Sequence, residues 1–345
     1  MAQTSPLISF IVVNHNSRFI LRRCLSALLH QTLSDYEILV VDNASTDGSA
    51  DWIAQNYPQV RLITSKVNLG YAGGINLALT HARGKYLFIL NPDIIPPPNW
   101  AERLYQAMIS HPEISCFSCS IANVDPITGE IHKERKGGTL NLLGSTIPEF
   151  FSDPEVTFYP SGAAFCFPAS EKILLNSDFF LYYEDVLLGW MLRLQGKKIK
   201  KIPDITVLHF SSFSARKKPS SFLSYHQERN RLLLIFSLYP FFLLVKIFPL
   251  LLVDLFFRWF SSLFGRKSLA GILRAHLAIL FSPHYIREKR KIYSSLHDRV
   301  EKLCIPLLSG HMLPFPSVWN TLSLAYCRLL RIPVYEIAGK GNPIL

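Results

Sequence analysis

The sequence predicts an α/β fold: a doubly wound, mostly parallel sheet followed by a C-terminal hydrophobic helical region that associates with a membrane. Up to about residue 210, short apolar runs typical of buried strands alternate with segments whose apolar residues recur at helical spacing. From residue 232 the chain changes to long apolar runs. We therefore predict one domain over residues 1–230 and a hydrophobic, basic helical region over residues 231–345.

The predicted elements follow one another in chain order. Strands are predicted at residues 7–13, 36–41, 60–64, 85–90, 179–183 and 199–209. Helices are predicted at residues 20–29, 49–57, 75–82, 100–110 and 186–195. Proline sets two of these limits: Pro58 follows the second helix, and Pro92, which has no N–H for a sheet ladder, follows the fourth strand. Residues 120–160, rich in glycine, proline and charge, are predicted to be irregular or substrate-facing loops.

Charge is unevenly distributed along the 345 residues, whose formal net charge is +11. Residues 1–215 carry 17 basic and 19 acidic residues, whereas residues 216–345 carry 19 basic and 6 acidic residues. Basic side chains beside apolar runs favour an anionic membrane surface as the partner, and no nucleic acid is expected. The N-terminus has no secretory signal pattern, and the six cysteines make no disulfide framework, so a reducing cytosol is expected.

The apolar segment 232–260 is predicted to be re-entrant or interfacial. Its longest uncharged run is 14 residues, at 232–245, against the roughly 20 that a spanning helix needs. Two prolines and three charged residues interrupt it: Pro240, Pro249, Lys246, Asp254 and Arg258. The alternative is a soluble helical domain whose core these apolar residues form.

Polar side chains follow the predicted strands at the edge where α/β sheets bind ligands. Asp42 ends the second strand and is suited to accept hydrogen bonds from a ribose hydroxyl or a base N–H. Asp93 is the first carboxylate after the fourth strand, in Asn91-Pro92-Asp93, and is well placed to hold a metal. The alternatives are helix capping for Asp42 and Asp47, and a simple turn for residues 91–93.

Glycines near residue 70 suggest a phosphate site. Asn68 and Gly70 begin the segment Asn-Leu-Gly-Tyr-Ala-Gly-Gly ahead of a predicted helix, whose N-terminal N–H groups suit a phosphate. The spacing is neither G-x-G-x-x-G nor a Walker A loop, which counts against a dehydrogenase or a P-loop NTPase.

Two further features contain residues suited to catalysis or metal binding. Glu184 and Asp185 open a predicted helix, whose N-terminus favours the ionised carboxylate and so a general base. His209 ends a predicted strand, and imidazole is a common metal ligand. The alternatives are the ordinary acid preference of helix N-termini and a structural histidine.

Seven segments in this order resemble the inverting family 2 glycosyltransferases of the GT-A fold, and most of all bacterial rhamnosyltransferase-like enzymes of cell-surface polysaccharide assembly. The segments are residues 12–14, 41–48, 68–74, 91–93, 161–164, 179–185 and 207–209. The similarity covers roughly residues 7–235. It also includes Arg229-Asn230, which matches a family Arg-Asn pair.

The resemblance implies roles for the donor side of the site. Asp42 would bind the nucleotide's base or ribose, with Asn14 and Asp47 nearby. Asn91-Pro92-Asp93 would replace the family's acidic metal motif, with the neutral Asn91 in place of a carboxylate. Asp93 and His209 would hold Mg²⁺ or Mn²⁺ against the diphosphate.

The resemblance also implies Asp185 as the base that deprotonates the acceptor hydroxyl, with Glu184 in support. The expected reaction moves one sugar, with rhamnose from dTDP-rhamnose as the best guess, from a nucleotide diphosphate sugar to a glycan or lipid-linked acceptor with inversion. The expected location is the cytoplasmic face of the inner (plasma) membrane, as a peripheral or monotopic protein.

Two alternatives remain. After Asp185 the chain reads Val-Leu-Leu-Gly-Trp-Met, whereas relatives have a further Asp, a Cys and an Arg, so a catalytically inactive scaffold of a membrane polysaccharide assembly complex is one alternative. A sugar-phosphate nucleotidyltransferase is disfavoured, because Asn14-His15-Asn16 follows the first strand instead of a glycine-rich loop containing arginine. No Gln-x-x-Arg-Trp follows the base, which disfavours a processive synthase.

Overall fold

A computed structural model describes residues 5–125, 128–135, 138–148, 151, 153–210, 221–265, 267–311 and 317–338. Over these residues the chain forms a mixed α/β fold with one large sheet and a group of C-terminal helices. Residues 126, 127, 136, 137, 149, 150 and 152, part of the predicted loop region, lie outside the described residues, as do the basic residues at 216–218.

The strands are β1 (Ile8–Asn14), β2 (Tyr36–Asn43), β3 (Arg61–Ser65), β4 (Tyr86–Leu90), β5 (Ile94–Ile95), β6 (Ile114–Val124), β7 (Ile131–Arg135), β8 (Gly138–Leu140), β9 (Thr146–Pro148), β10 (Ala164–Pro168) and β11 (Lys198–His209). In the main sheet the order is β3-β2-β1-β4-β10-β6-β11-β5, with β7 beside β6. Strands β8 and β9 form a separate hairpin.

The helices are α1 (Arg18–Leu29), α2 (Ser49–Asn56), α3 (Gly70–Leu79), α4 (Trp100–Ser110), α5 (Glu184–Leu194), α6 (Ser221–Leu238), α7 (Phe241–Leu263), α8 (Leu269–Leu280), α9 (Pro283–Tyr293), α10 (Ser317–Leu329) and α11 (Tyr335–Ala338). Between α9 and α10, residues 294–307 form short irregular helical turns. The predicted domain boundary at residue 230 falls inside α6.

The sheet is parallel in its first half and mixed in its second. Strands β1, β2, β3 and β4 pair in parallel, with Asn14 opposite Asp42 and Val12 opposite Leu90. Strand β10 then enters antiparallel between β4 and β6. Beyond β4 the sheet is mixed and not mostly parallel: β10 pairs antiparallel with β4 and β6, whereas β11 pairs in parallel with β6.

Three local predictions are wrong. Residues 120–160 contain the end of β6 and strands β7 to β9, and β6 is almost wholly buried although its sequence is rich in Ser and Cys. Residues 179–183 are not a strand, because Tyr182 and Tyr183 take left-handed conformations with φ of 67° and 70°. Helix α3 begins at Gly70 and not at residue 75, and Gly74 lies within it, where a Cβ would meet Val13 Cγ1 at 2.6 Å.

Apolar side chains fill both faces of the sheet and the space under the C-terminal helices. Trp100 of α4 packs against Phe10 and Phe88 on one face. A separate apolar cluster joins the C-terminal helices to Trp190 of α5 and to Phe158. The six cysteines are buried and form no disulfide.

A buried ionic network lies among α6, α7 and the loop that follows β8. Arg231 lies 2.6 Å from Glu228 and 3.0 Å from Asp254, and all three side chains are at most 4 % exposed. Arg258 approaches the same two carboxylates at 3.3 Å and 2.8 Å. Arg231 also donates to the carbonyl of Leu143 at 2.7 Å. Asp254 and Arg258, which interrupt the apolar run in the sequence, thus face inward and tie α7 to α6.

Across the described residues, no single helix combines the length and apolar character needed to cross a bilayer. One pair, Leu269–Leu280 with Pro283–Leu307, meets those criteria only when taken together, and it is bent by 70°.

Arg231→Met should destabilise the protein by about 3–5 kcal/mol, because it removes one of the two arginines that Glu228 and Asp254 share and leaves two buried carboxylates beside Arg258 alone. Denaturant unfolding measures the free energy. Arg61→Met is the matched control: Arg61 is 38 % exposed beside Glu37, which keeps Arg83 as a second partner, so a loss below about 1 kcal/mol is expected. If the two variants lost equal free energy of unfolding, the buried network would stabilise the protein no more than the exposed pair does.

Candidate active site

A cleft of about 1270 Å³ opens beyond the carboxyl ends of β1, β2 and β4. Eight of the ten residues that the sequence nominates line it: Asp47, Asn68, Gly70, Asn91, Asp93, Glu184, Asp185 and His209. The other two, Asn14 and Asp42, are buried beneath it. The sheet therefore brings nearly all predicted site residues into one cleft.

Asn14 and Asp42 hold the loop between β2 and α2 at the floor of the cleft. The Asn14 amide donates to Asp42 Oδ1 at 2.9 Å and to Ser45 Oγ at 3.1 Å. The N–H of Ser45 donates to Asp42 Oδ2 at 3.1 Å. Both carboxylate oxygens of Asp42 therefore have partners within the protein.

Asp47 caps helices as well as lining the cleft. Its carboxylate accepts from the N–H of Arg18 and from the N–H of Ser49, each at 3.0 Å. Burial tends to raise the pKa of Asp47, but hydrogen bonds from Ser49 and from the Arg18 N–H outweigh it and lower the pKa. Asp47 therefore caps the N-termini of α1 and α2, as the capping alternative predicts.

Asn43 organises the Asn68–Gly70 turn, a role that sequence reasoning missed. Its amide donates to Asn68 Oδ1 at 3.0 Å and to the carbonyl of Gly70 at 2.9 Å. Gly70 has φ +72°, and a Cβ there would lie 2.3 Å from the carbonyl oxygen of Phe180. Only glycine fits this turn. The available signal was the position of Asn43 directly after Asp42 at the end of a strand.

Asp93 and His209 meet because short β5 pairs with the end of β11. His209 lies opposite Ile94, and the Phe210 N–H donates to the Asp93 carbonyl at 3.0 Å. Asp93 Oδ1 lies 3.3 Å from His209 Nε2 and makes no hydrogen bond among the described residues. One carboxylate and one imidazole suit a divalent cation whose other ligands are phosphate and water oxygens. In the described part of the chain, no group of three or more His, Cys, Asp or Glu side chains is arranged so that it could hold a metal ion by itself.

Asp185 is held at the N-terminus of α5. Its Oδ2 accepts from the Gly162 N–H and its Oδ1 from the Val186 N–H, both at 2.8 Å. The Tyr71 hydroxyl donates to the Gly162 carbonyl at 2.6 Å. A Cβ on Gly162 would lie 3.0 Å from Asp185 Oδ2, so the small residue permits this close approach.

Burial, and not the helix N-terminus, decides the protonation of the two acids. It raises the pKa of Glu184 well above its ordinary value, and the neighbouring Asp185 charge raises it further. Burial also raises the pKa of Asp185, although the N–H groups of Gly162, Val186 and Asp185 itself oppose this. Glu184 Oε2 has no hydrogen-bond partner among the described residues. The proton therefore resides preferentially on Glu184, contrary to the expectation that the helix keeps both acids ionised.

The turn before α5 is fixed by α6. The Asn230 amide donates to the carbonyls of Leu181 and Tyr182 at 3.0 Å and 2.8 Å. Arg229 donates to the Asp178 carbonyl at 2.7 Å. The Arg-Asn pair thus holds the left-handed residues from which α5 starts.

The apolar residues after Asp185 have a packing role. A Cβ on Gly189 would lie 2.5 Å from Tyr159 Cβ. Trp190 packs against Phe158 and Tyr239, with ring centroids 5.1 Å and 5.8 Å apart. This segment of α5 is therefore core under the C-terminal helices.

The fold and the cleft define an α/β protein whose cleft lies beyond the carboxyl ends of the strands, where proteins of this architecture bind ligands. Residues 9–174 match the sequence model of the family described as "Glycosyl transferase family 2". These residues, 166 of the 345, therefore form a domain of this family.

The sequence identity to individual relatives is low. The chain is 26 % identical over 246 residues to the N-acetylglucosaminyl-diphospho-decaprenol L-rhamnosyltransferase of Mycobacterium tuberculosis, covering 62 % of this chain and 79 % of that protein. It is 26 % identical over 242 residues to the hyaluronan synthase of Pasteurella multocida, covering 66 % of this chain but 23 % of that protein. Among solved structures, S. aureus TarS 1-349 in complex with UDP superposes with a TM-score of 0.49 and 16 % identity, over 86 % of this chain and 91 % of that one.

Glu184→Gln should flatten the pH dependence of stability. Because folded Glu184 keeps its proton where the unfolded residue, with an ordinary pKa of 4.5, has lost it, the folded state binds more protons and its stability falls as the pH rises above about 5. Glutamine cannot ionise, so the variant should lose less stability than the wild type between about pH 5 and pH 8. Melting temperatures across this range measure the difference. Exposed Glu288→Gln should follow the wild type, and a Glu184→Gln curve parallel to both would contradict the assignment.

Proposed function

We propose that the protein is an inverting, metal-dependent glycosyltransferase that moves one sugar from a nucleotide diphosphate sugar to a glycan or lipid-linked acceptor in cell-surface polysaccharide biosynthesis. Rhamnose, from dTDP-rhamnose, is the best guess for the sugar. The observation that carries the proposal is that one cleft is lined by the Asp93–His209 pair and by partly buried Asp185.

On the donor side, Asp93 and His209 would hold Mg²⁺ or Mn²⁺. The position of Asp93 Oδ1 supports this, because it lies 3.3 Å from His209 Nε2 and makes no hydrogen bond among the described residues, and carboxylate oxygen and imidazole nitrogen are both ligands of divalent cations. When bound, the ion neutralises charge on the departing diphosphate. Asn68 and Gly70, at the start of α3, are the proposed contacts for the nucleotide sugar, with Asn14, Asp42, Asp47 and Asn91 supporting that side of the cleft.

On the acceptor side, Asp185 is the proposed base. The acceptor oxygen forms a bond to the anomeric carbon while the bond from that carbon to the diphosphate oxygen breaks. The electron pair leaves on the diphosphate, and the acceptor proton passes to Asp185. A raised pKa makes a carboxylate a stronger base near neutral pH. Glu184, which keeps its proton, supports Asp185 without adding a second negative charge.

The relatives support the substrate classes in this proposal. The name of the mycobacterial relative joins a rhamnosyl donor to a diphospho-decaprenol acceptor. The Pasteurella relative synthesises a glycan. A lipid-linked acceptor would place the protein at the cytoplasmic face of the inner membrane, as a peripheral or monotopic protein.

The second candidate is a catalytically inactive scaffold of a membrane polysaccharide assembly complex. It is favoured by the apolar segment Val186 to Met191, which packs as core where the family resemblance implies polar residues. The two candidates differ in turnover, so kinetic tests separate them.

Asp185→Asn should lower sugar transfer by roughly 10²–10⁴-fold, because it removes the proton acceptor, while nucleotide affinity stays unchanged. Release of nucleoside diphosphate measures turnover, and calorimetry measures binding. Asp51→Asn, on an exposed face of α2, is the matched control and should retain full activity. Full activity in Asp185→Asn would remove Asp185 from the mechanism, and nucleotide binding without turnover in the wild type would favour the scaffold.

Thermal stabilisation by dTDP, UDP, GDP or CMP, each with and without Mn²⁺, should identify the nucleotide and test the metal site. A ligand at about 100 times its dissociation constant adds roughly 2.7 kcal/mol to stability. One diphosphate should stabilise the protein only with metal, and Asp93→Ala should lose that effect while Asp51→Asn keeps it. Equal stabilisation of Asp93→Ala would exclude Asp93 as a ligand, and no stabilisation by any nucleotide would favour the scaffold.

A further inference from the structure

The outer side of α7 is an unbroken apolar stripe. Its exposed side chains recur every three or four residues along the whole helix, with exposed fractions from 43 % for Trp259 to 80 % for Phe242. They are Phe241, Phe242, Val245, Phe248, Leu252, Phe256, Trp259, Phe260 and Leu263. The inner side packs in the core through Leu243, Ile247 and Leu251. Since a helix of 23 residues is about 35 Å long, the stripe extends across much of the molecule.

Helix α8 extends the same surface. Leu273, Leu277 and Leu280 are exposed along it, and Phe281 follows with 76 % of its surface exposed. Trp259 of α7 donates from Nε1 to His276 Nδ1 of α8 at 3.0 Å, which holds the two helices side by side. We call these exposed side chains of α7 and α8 the α7–α8 face.

The α7–α8 face is larger than apolar patches on ordinary monomers. Its aromatic side chains alone present roughly 850 Å² if each fully exposed ring offers about 200 Å². The largest patch on a typical monomer is about 300–600 Å². We therefore expect an apolar partner to cover the α7–α8 face.

Charge identifies the occupant as a lipid surface. Lys246 and Arg274 lie on the same two helices, and Arg287 and Lys291 are exposed on the adjacent α9. Residues 216–345 carry 19 basic and 6 acidic residues. A second copy of the chain would bring like charges together, whereas anionic headgroups complement them. Long basic side chains can also reach the headgroups beside an apolar surface that lies deeper.

We propose that the α7–α8 face binds in the plane of an anionic bilayer, with its apolar side chains at the boundary between headgroups and acyl chains. This is the geometry of an amphipathic helix that lies on a membrane. The proposal deepens the proposed function by specifying the surface that meets the membrane, and its biological meaning rests on that function.

The corner where α7 meets α8 also belongs to the cleft. Lys267, in the turn between the helices, lines the cleft, as do Phe222 and Leu223 of α6. The Ser268 N–H donates to Ser224 Oγ at 3.0 Å, which fixes this turn against α6. A surface bound to the bilayer therefore brings one side of the cleft mouth close to the lipid headgroups.

Lys267 is suited to meet a phosphate at that corner. It makes no ion pair or hydrogen bond among the described residues, and burial together with nearby Arg258 lowers the pKa of Lys267 to about 8. An anion beside Lys267 would favour its charged form. The diphosphate of a lipid-linked acceptor has this chemistry.

The test is flotation of the full-length protein with phosphatidylcholine vesicles, with and without phosphatidylglycerol. The wild type should float with both kinds of vesicle, more strongly with phosphatidylglycerol, and the preference should weaken at high salt. Phe248→Ser/Phe256→Ser should lower partitioning at least tenfold, because two large apolar side chains no longer enter the interface. Ile109→Ser/Leu174→Ser, which removes two exposed apolar side chains far from α7 and α8 in sequence, should float like the wild type.

A second measurement does not depend on the serine variants. Brominated lipids should quench tryptophan fluorescence of the wild type, and Trp259→Phe should lose much of that quenching. Absence of flotation, equal flotation of the two double variants, or quenching unchanged in Trp259→Phe would overturn the proposal. So would a lipid-free dimer that only Phe248→Ser/Phe256→Ser dissociates, because the face would then bind a second copy.

Nucleotide-dependent thermal stabilisation of the same variants keeps the two proposals distinguishable. A protein that binds nucleotide but not vesicles would overturn the membrane surface alone. A protein that floats as expected but binds no nucleotide would overturn the proposed transferase and leave the surface intact.

Discussion

The geometry of the candidate site depends on two hydrogen bonds from Asn230 to the backbone of Leu181 and Tyr182. Left-handed backbone is unfavourable for residues with a side chain, and here Tyr182 and Tyr183 adopt it in succession. Such a turn persists only where surrounding contacts determine it. Because α5 starts at the next residue, the turn sets the direction of that helix and the position of Asp185.

The C-terminal helices are therefore part of the site as well as an appendage to it. Asn230 lies in α6, and α6 is tied to α7 by the buried pairs of Arg231 with Glu228 and Asp254. Tyr183 donates to the carbonyl of Gly144, which belongs to the loop that Arg231 also holds. Contacts thus run from α7 through the ionic network to the turn before Asp185. Helix α7 would therefore contact a membrane through its outer side and support the site through its inner side.

The sequence predicts the first half of the fold and most of the cleft, because strand ends in a parallel sheet lie at one edge. Asp93 and His209 are 116 positions apart in the chain, and both were nominated because they follow predicted strands and because the family resemblance implies a metal site there. Strand β6 was missed because its Ser and Cys residues look like loop chemistry, while burial between β10 and β11 decides their conformation. Asn43 was not singled out, since its role depends on contacts with residues distant in the chain.

The roles of the two adjacent acids could not be separated from the sequence, and their hydrogen bonds separate them. Both open the same helix, so the helix dipole acts on both alike. Asp185 accepts two N–H bonds, which favour its ionised form, whereas Glu184 Oε2 has no partner among the described residues. Since burial disfavours two charges side by side, the proton settles on the acid with fewer donors. Asp185 is then the acid left free to accept a proton, which is the property that the proposed reaction requires.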